Sequence, residues 1–176
     1  LHPESELVGR ELRNHLDTAG IRERQCVVAL PPSWVLSQQV RLPDLPAEDV
    51  AAFLQLEAEK GFPCDPEQLL IVSSPQAAGG ANFVTQLAVR REQLDQLAAV
   101  LKAAGLRALG YTLGLSALPG VITTGDEGRI TLSLGRKEAT LLVSAGGGIT
   151  AYRTFDASIK SEAGESLINA RAIGRE

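Results

Sequence analysis

The chain has 176 residues, with 17 Lys and Arg against 21 Asp and Glu and a formal net charge of −4. A mildly acidic chain without a run of basic residues cannot neutralise many phosphates, which excludes nucleic-acid binding as its main function. The hydrophobic content of 44% is enough for one compact domain or two small ones without disulfides. The 2 cysteines and 2 histidines are too few and too scattered for a zinc cluster. The low number of cysteines favours a reducing compartment.

Two further features of the sequence concern the location of the protein and the absence of Met. No apolar run approaches the roughly 20 residues that cross a bilayer, and the first residues lack the charged and apolar regions of a signal peptide. The sequence therefore predicts neither secretion nor a membrane span. It contains no Met and starts at Leu1, so we expect it to be a piece of a longer protein.

Hydrophobic spacing predicts the first elements of the chain. Apolar side chains recur at helical spacing over Ser5 to Ala19, which predicts an amphipathic helix. Cys26 to Leu30 is a short apolar run that indicates a strand buried on both faces. Alternation from Trp34 to Leu42 predicts a strand with one polar face, and Pro46 then opens an acidic helix that ends at Gly61.

The middle of the chain continues as a hairpin and a helix. We expect two strands, Leu69 to Ser73 and Asn82 to Arg90, because small residues and glycines fill positions 76–81 between them. Arg91 to Ala104 has the clearest helical pattern of the chain and precedes Gly105. Leu106 to Leu113 then reads as a strand, so this part of the chain is α/β or α+β.

The last part of the chain predicts a sheet. A short helix at Leu115 to Leu118 and a link rich in Gly and Thr, Gly120 to Gly128, precede it. The tail from Ser158 to Glu176 is compatible with a helix. Three runs joined by short turns indicate an antiparallel meander: Arg129 to Leu134, Ala139 to Ser144 and Ile149 to Phe155.

Glycines and carboxylates are the first candidates for chemistry. Gly146 to Gly148 stands between two predicted strands without a following Lys, so a plain hairpin turn is favoured over a phosphate loop. Glu57 and Glu59 beside Lys60 could suggest acid/base chemistry. Neighbouring helix positions point apart, however, so a solvated face or the rim of a partner groove is the better interpretation.

Four other residues receive structural interpretations. His15 has no partner group placed near it by spacing, and a structural role is favoured over catalysis. Cys64 lies in a turn bounded by prolines, and Cys26 is expected to be a small core residue. Trp34, the only tryptophan, is interpreted as a packing anchor in preference to a partner contact. No enzyme constellation emerges, because the serines also lack a nucleophile elbow.

The segment Val27 to Leu70 contains four motifs: Ala29-Leu30-Pro31, Leu42-Pro43-Asp44-Leu45-Pro46, Glu57-Ala58-Glu59 and Pro63-Cys64. With these motifs it resembles the PilM family of actin-like type IV pilus assembly proteins, whose strands, proline turns and acidic helix have the same order. Cys64 stands where that family usually has Phe. The likeness is weaker at Ala104-Gly105-Leu106 and over Arg129 to Phe155.

The resemblance implies an actin-like, ribonuclease H-like fold of α/β (α+β) class, present as a fragment. Residues 1–33 would be part of lobe 1, and residues 34–113 an inserted subdomain of strand, helix, strand, strand, helix and strand. A linker would cover residues 114–128. Part of the second lobe, a meander plus a helical tail, would cover residues 129–176.

The second phosphate-binding hairpin of actin-like ATPases usually opens with Asp-x-Gly. The residues that match it here are Ser133, Leu134 and Gly135, which make Ser133 and Gly135 the candidate nucleotide-site residues. A hydroxyl in place of the carboxylate removes the charge that would hold magnesium. We therefore expect a degenerate site with weak or no ATP binding, no metal and no cofactor.

The resemblance implies a binding and scaffold module that serves pilus assembly and twitching motility. It would be cytoplasmic, peripheral to the inner membrane, and would grip the N-terminal tail of a PilN-like membrane partner in a groove between subdomains. The alternatives are the cytoplasmic domain of a type II secretion L-type protein, which docks an assembly ATPase, and an active actin-like ATPase or sugar-kinase-like enzyme. The groove residues and the oligomeric state are left open.

Overall fold

The computed structural model describes residues 3–75, 83–117, 127–135, 138–156, 159–162 and 165–168. Within these ranges the helices are α1 (Pro3–Thr18), α2 (Ala47–Gly61) and α3 (Arg91–Ala103). The strands of the first part are β1 (Gln25–Leu30), β2 (Leu36–Arg41), β3 (Leu69–Pro75), β4 (Phe83–Arg90) and β5 (Arg107–Leu113). The strands of the last part are β6 (Arg129–Leu134), β7 (Glu138–Ala145), β8 (Gly148–Asp156), β9 (Ile159–Glu162) and β10 (Glu165–Ile168).

The middle of the chain forms an antiparallel sheet in the order β2, β4, β3. Successive side chains of a strand point to opposite faces, so this sheet has two differently covered sides. One side packs on α2 through a cluster of buried residues. The cluster consists of Ala58, Phe62, Leu69 and Ala88, with Leu36, Cys64 and Ile71 packed against it. The predicted order of strand, helix, strand, strand, helix and strand is confirmed.

A second unit joins the start of the chain to its middle. β1 pairs in parallel with β5, and α1 packs against α3. Gly105, which follows α3, has a φ of 67° that suits glycine, and it turns the chain back into β5. Both contacts cross the predicted boundary between residues 33 and 34. The domain limits themselves stay a prediction.

The last part of the chain contains the predicted meander. β6, β7 and β8 form an antiparallel sheet in that order, and β8 contacts β2, β3 and β4. The main core lies where this meander meets the other face of the β2-β4-β3 sheet and α3. Its buried members are Leu30, Val35, Leu87, Val89, Leu94, Leu142, Ile149 and Tyr152, and Trp34, Leu97, Leu113 and Leu115 pack against them.

Two expectations are wrong. β1 is not buried on both faces, because its residues alternate and Val27 is 63% exposed. The predicted helical tail is also contradicted over the described part of it, where β9 and β10 pair as antiparallel strands with Ile159 opposite Ile168. Backbone pairing between neighbouring segments stabilises strands there, while Gly164 in the middle of the tail disfavours a helix.

Smaller differences occur at the proline turns. Trp34 ends a short 3₁₀ turn, Pro32–Trp34, so β2 begins only at Leu36. The predicted short helix at Leu115 to Leu118 is a 3₁₀ turn, Gly114–Ala117. The loop at positions 76–81 and most of the link predicted for positions 120–128 lie outside the described residues.

Candidate functional site

A groove of about 320 Å³ lies between the start of α1, the 3₁₀ turn that precedes β2, and α3. Its apolar lining consists of Val8, Trp34, Leu97 and Val100. Its polar lining consists of Glu4, Ser5 and Gln96. A concave apolar surface with a few polar groups at its rim is the usual form of a site for a small ligand or a short peptide. We call it the Trp34 groove.

The position of the groove follows from how closely the two helices pack. Gly9 lies against the last turn of α3, where an added Cβ would stand 2.5 Å from Ala103 Cβ and 2.6 Å from the Val100 carbonyl oxygen. Only a residue without a side chain allows this approach. Val8, directly before Gly9, and Ser5, one turn before it, line the groove next to this contact.

Trp34 has two roles in this region. It is half-buried and packs against the main core, which agrees with its predicted function as an anchor. It also lines the groove, together with Val8, which remains 49% exposed. An aromatic side chain fixed by the core and open on one edge is well suited to contact a partner, because it loses little conformational freedom on binding.

The predicted nucleotide residues lie at the turn between β6 and β7. Gly135 donates its amide hydrogen to the Glu138 carbonyl oxygen over 2.8 Å, which closes the hairpin. An added Cβ at Gly135 would lie 3.0 Å from the same oxygen. Ser133 lies opposite Thr140 on β7, which in turn lies opposite Thr154 on β8. Ser133, Thr140 and Thr154 therefore form a row of hydroxyl residues across the sheet. The Gly135 amide is not available to a phosphate, because it is already bonded to the Glu138 carbonyl oxygen.

A second cleft, of about 630 Å³, opens between the start of β2 and the end of β8. We call it the β2–β8 cleft. One wall runs from Ser33 to Ser37, and the other consists of Glu138 and residues 152–155. Next to it, polar side chains of the β2-β4-β3 sheet hold the backbone of β8. Ser37 Oγ donates to the Tyr152 carbonyl, Gln39 Nε2 and Thr85 Oγ1 donate to the Thr150 carbonyl, and Ser74 Oγ accepts from the Ile149 amide.

Tyr152 supports the floor of this cleft. Its side chain is only 2% exposed, and burial raises the pKa of its phenol to about 12, with a smaller contribution from the nearby Glu138 carboxylate. The Thr154 hydroxyl beside the phenol partly opposes this rise of the pKa. Burial outweighs it, so the phenol stays neutral at physiological pH.

The remaining sequence candidates have structural roles in the described ranges. Gly146 and Gly147, with φ values of 58° and 80°, form a hairpin turn between β7 and β8, as predicted. Glu57 forms an ion pair with Lys60 on the surface of α2 at 2.9 Å. His15 is exposed near the end of α1. The described residues contain no group of three or more metal-ligating side chains, and none of their helices is long and apolar enough to span a membrane.

The sequence did not single out the residues that line the two openings. Val8 and Leu97 belong to helical stripes, and such stripes predict a core whether or not they are fully covered. The sequence feature that could have indicated the groove is Trp34, which follows Pro31 and Pro32 closely and lies at the predicted boundary between lobe 1 and the inserted subdomain.

Comparison with solved structures identifies the fold. The chain aligns with a protein of the PilM-PilN type IV pilus biogenesis complex over 89% of its residues, with a TM-score of 0.71 and 23% identity. The fold is PilM-like. The cytoplasmic domain of EpsL, an inner-membrane component of the Vibrio cholerae type II secretion system, aligns over the same share of the chain, with a TM-score of 0.58 and 18% identity. These identities show the fold alone, and the predicted α/β fold resembling that of PilM is confirmed.

The PilM-like chain spans only part of these proteins, namely 49% of the first and 64% of the second. A Bacteroides thetaiotaomicron protein described as having an actin-like ATPase fold and unknown function aligns with a TM-score of 0.36, too low to show a shared fold. No family model matches the chain, and no curated protein matches its sequence significantly.

Proposed function

We propose that the chain is a binding module of an inner-membrane assembly platform that serves a type IV pilus or a related secretion system. It acts on the cytoplasmic side and holds the N-terminal tail of a PilN-like membrane partner in the Trp34 groove. The observation that carries this proposal is an apolar groove between the segments assigned to lobe 1 and to the inserted subdomain, in a fold shared with a protein solved in a PilM-PilN complex.

The chemistry of the groove fits a short peptide with apolar side chains. Val8 and Trp34 present apolar surface that gains about 25 cal/mol for each Å² removed from water. Ser5 and Gln96 at the rim offer hydrogen-bonding groups to a peptide backbone. A tail of a few residues needs no more than such a groove, whereas two folded proteins would need a much larger surface.

Fluorescence anisotropy with a labelled synthetic PilN tail tests the proposal. We expect saturable binding to the wild-type chain and a loss of at least about tenfold for Val8→Glu, because the new charge would be desolvated in the groove. The matched control is Leu7→Glu on the same helix, since Leu7 is 56% exposed and does not line the groove. Absence of binding at millimolar peptide, or an equal loss in both variants, would contradict the proposal.

We infer further that the chain does not hydrolyse ATP. Ser133 supplies a hydroxyl where the actin-like pattern has a carboxylate, and the Gly135 amide is bonded to the Glu138 carbonyl oxygen. Both features weaken a site for magnesium and phosphate. Calorimetric titration with ATP and magnesium should give no saturable heat, and micromolar magnesium-dependent affinity would refute this inference.

A second candidate function is that of the cytoplasmic domain of an L-type protein of type II secretion. The observation in its favour is the similarity to the EpsL cytoplasmic domain. In that case the purified chain should bind an assembly ATPase and not the PilN tail. Parallel titrations with the two purified partners separate the candidates.

A further inference from the structure

The β2–β8 cleft is not used by the function proposed above, yet two of its features point to a ligand, namely the edge of β8 and the Glu138 carboxylate. One wall of the cleft begins within the 3₁₀ turn Pro32–Trp34. Trp34 lines the groove, while Ser33 and Val35, its neighbours in the chain, line the cleft. A segment bound in the groove therefore ends or begins close to the cleft.

The edge of β8 that faces the cleft is only partly occupied. Toward the β2-β4-β3 sheet, the Tyr152 carbonyl accepts from Ser37 and the Thr150 carbonyl accepts from Gln39 and Thr85. In a strand, the backbone groups of every second residue point to the same edge, so Thr154 is the next residue with its amide and carbonyl toward the cleft. No side chain in the described ranges is hydrogen-bonded to the Thr154 backbone. A short extended segment can pair there.

The Glu138 carboxylate indicates which charge a ligand of the cleft would carry. It is half-buried in the wall of the cleft and forms no ion pair within the described ranges. Arg153 also lines the cleft but is exposed, and it alternates with Tyr152 and Thr154 to the other face of β8. A cation brought by a ligand would compensate the Glu138 carboxylate.

We propose that the β2–β8 cleft binds an extended stretch of the same partner tail, which adds as a short strand to the β8 edge at Thr154 and places a basic side chain on Glu138. This inference rests on the proposed function, because the tail reaches the cleft from the Trp34 groove across the turn Pro32–Trp34. Strand addition supplies affinity through the backbone, and the pairing with Glu138 supplies selection for a basic residue.

The test uses the labelled PilN tail peptide and the full chain. Glu138→Gln keeps the size of the side chain and should weaken binding about tenfold, with a smaller dependence of affinity on salt than in the wild type. Glu59→Gln removes the same charge from an exposed position on α2 and is the matched control, with less than a twofold change expected.

Backbone-methylated peptides test strand addition itself. Methylation removes one amide hydrogen at a time, and only every second position should be sensitive if the tail pairs along one edge. Unchanged affinity of Glu138→Gln, while Val8→Glu still loses binding, would overturn this inference and leave the proposed function standing. If the wild-type chain does not bind the tail, both fail. Sensitivity to methylation without alternation would also overturn strand addition.

Discussion

The two faces of the β2-β4-β3 sheet are held in different ways. On the α2 face, apolar side chains fill the space, and the paired residues Gln38 and Gln86 bond to each other and to the helix carbonyls of Glu57 and Leu54. On the β8 face, apolar contacts share the interface with side chains that bond directly to the backbone of another strand. The first face is closed by a helix, and the second is closed only in part, since Val72 is 55% exposed there.

This difference shows how the β2-β4-β3 sheet can rest on a rigid base on one face and, on the other, support the edge of a second sheet, β6-β7-β8. A helix satisfies its own backbone, so the α2 face needs only good packing and the bonds of two glutamines. An edge strand such as β8 presents unpaired backbone groups, and side chains such as Ser37 and Thr85 satisfy some of them. The groups that they do not reach, near Thr154, are those of the proposed binding edge.

The largest expected effect lies on the α2 face. Phe62 is 7% exposed and belongs to the cluster under α2, so Phe62→Ala should lower the free energy of unfolding by about 3 to 5 kcal/mol through lost burial and a cavity. Val72→Ala on the open part of the other face should cost less than about 1 kcal/mol. Urea unfolding measures both values, and similar costs would contradict the contrast between the faces.

The next effect appears only at alkaline pH. Burial raises the pKa of the Tyr152 phenol to about 12, so the folded chain keeps a proton that the unfolded chain releases from about pH 10 upward. The free energy of unfolding should therefore fall between about pH 10 and pH 12, by a limit of about 2 to 3 kcal/mol. Tyr152→Phe should remove this decline, whereas Tyr111→Phe, at a residue 38% exposed, should retain it. Equal alkaline profiles in the two variants would refute the assignment.

The glutamine pair should have an intermediate effect at neutral pH. Gln86 is 2% exposed, and Gln86→Leu leaves the amide of Gln38 without its 2.6 Å partner, so we expect a loss of about 2 kcal/mol. Replacing both glutamines by Leu removes the unsatisfied group and should restore part of that loss. A double-mutant cycle from urea unfolding measures the coupling. Strictly additive losses would show that the pair does not act as a unit.

The smallest effect concerns the hydrogen bonds to β8. Thr85 is fully buried, and its hydroxyl donates to the Thr150 carbonyl over 2.9 Å, while Gln39 donates to the same oxygen. Thr85→Val should cost only about 1 kcal/mol, because the carbonyl keeps one donor. Ser73→Ala, at an exposed residue of β3, is the control and should be nearly neutral. A loss of several kcal/mol would mean that these bonds, and not packing, hold the meander in place.

Local patterns predicted most of the elements. The helix predicted over Arg91 to Ala104 occurs as Arg91–Ala103, and the meander has the predicted order and pairing. Helical stripes, proline starts and glycine ends act over a few residues, so the sequence displays them directly. The tail was predicted as a helix because it has little pattern of its own, and pairing between β9 and β10 overrides a weak local preference there.

By itself, the sequence determined the order of the elements, the acidic surface charge, the helix stripes and the resemblance that pointed to a PilM-like fold. Only the tertiary structure decided which of the apolar stripes stay open. The burial of a residue such as Val8 or Val27 depends on what packs against it from distant parts of the chain, and no spacing rule records that. The parallel pairing of β1 with β5, the Trp34 groove and the packing of β8 on the β2-β4-β3 sheet arise from such distant contacts.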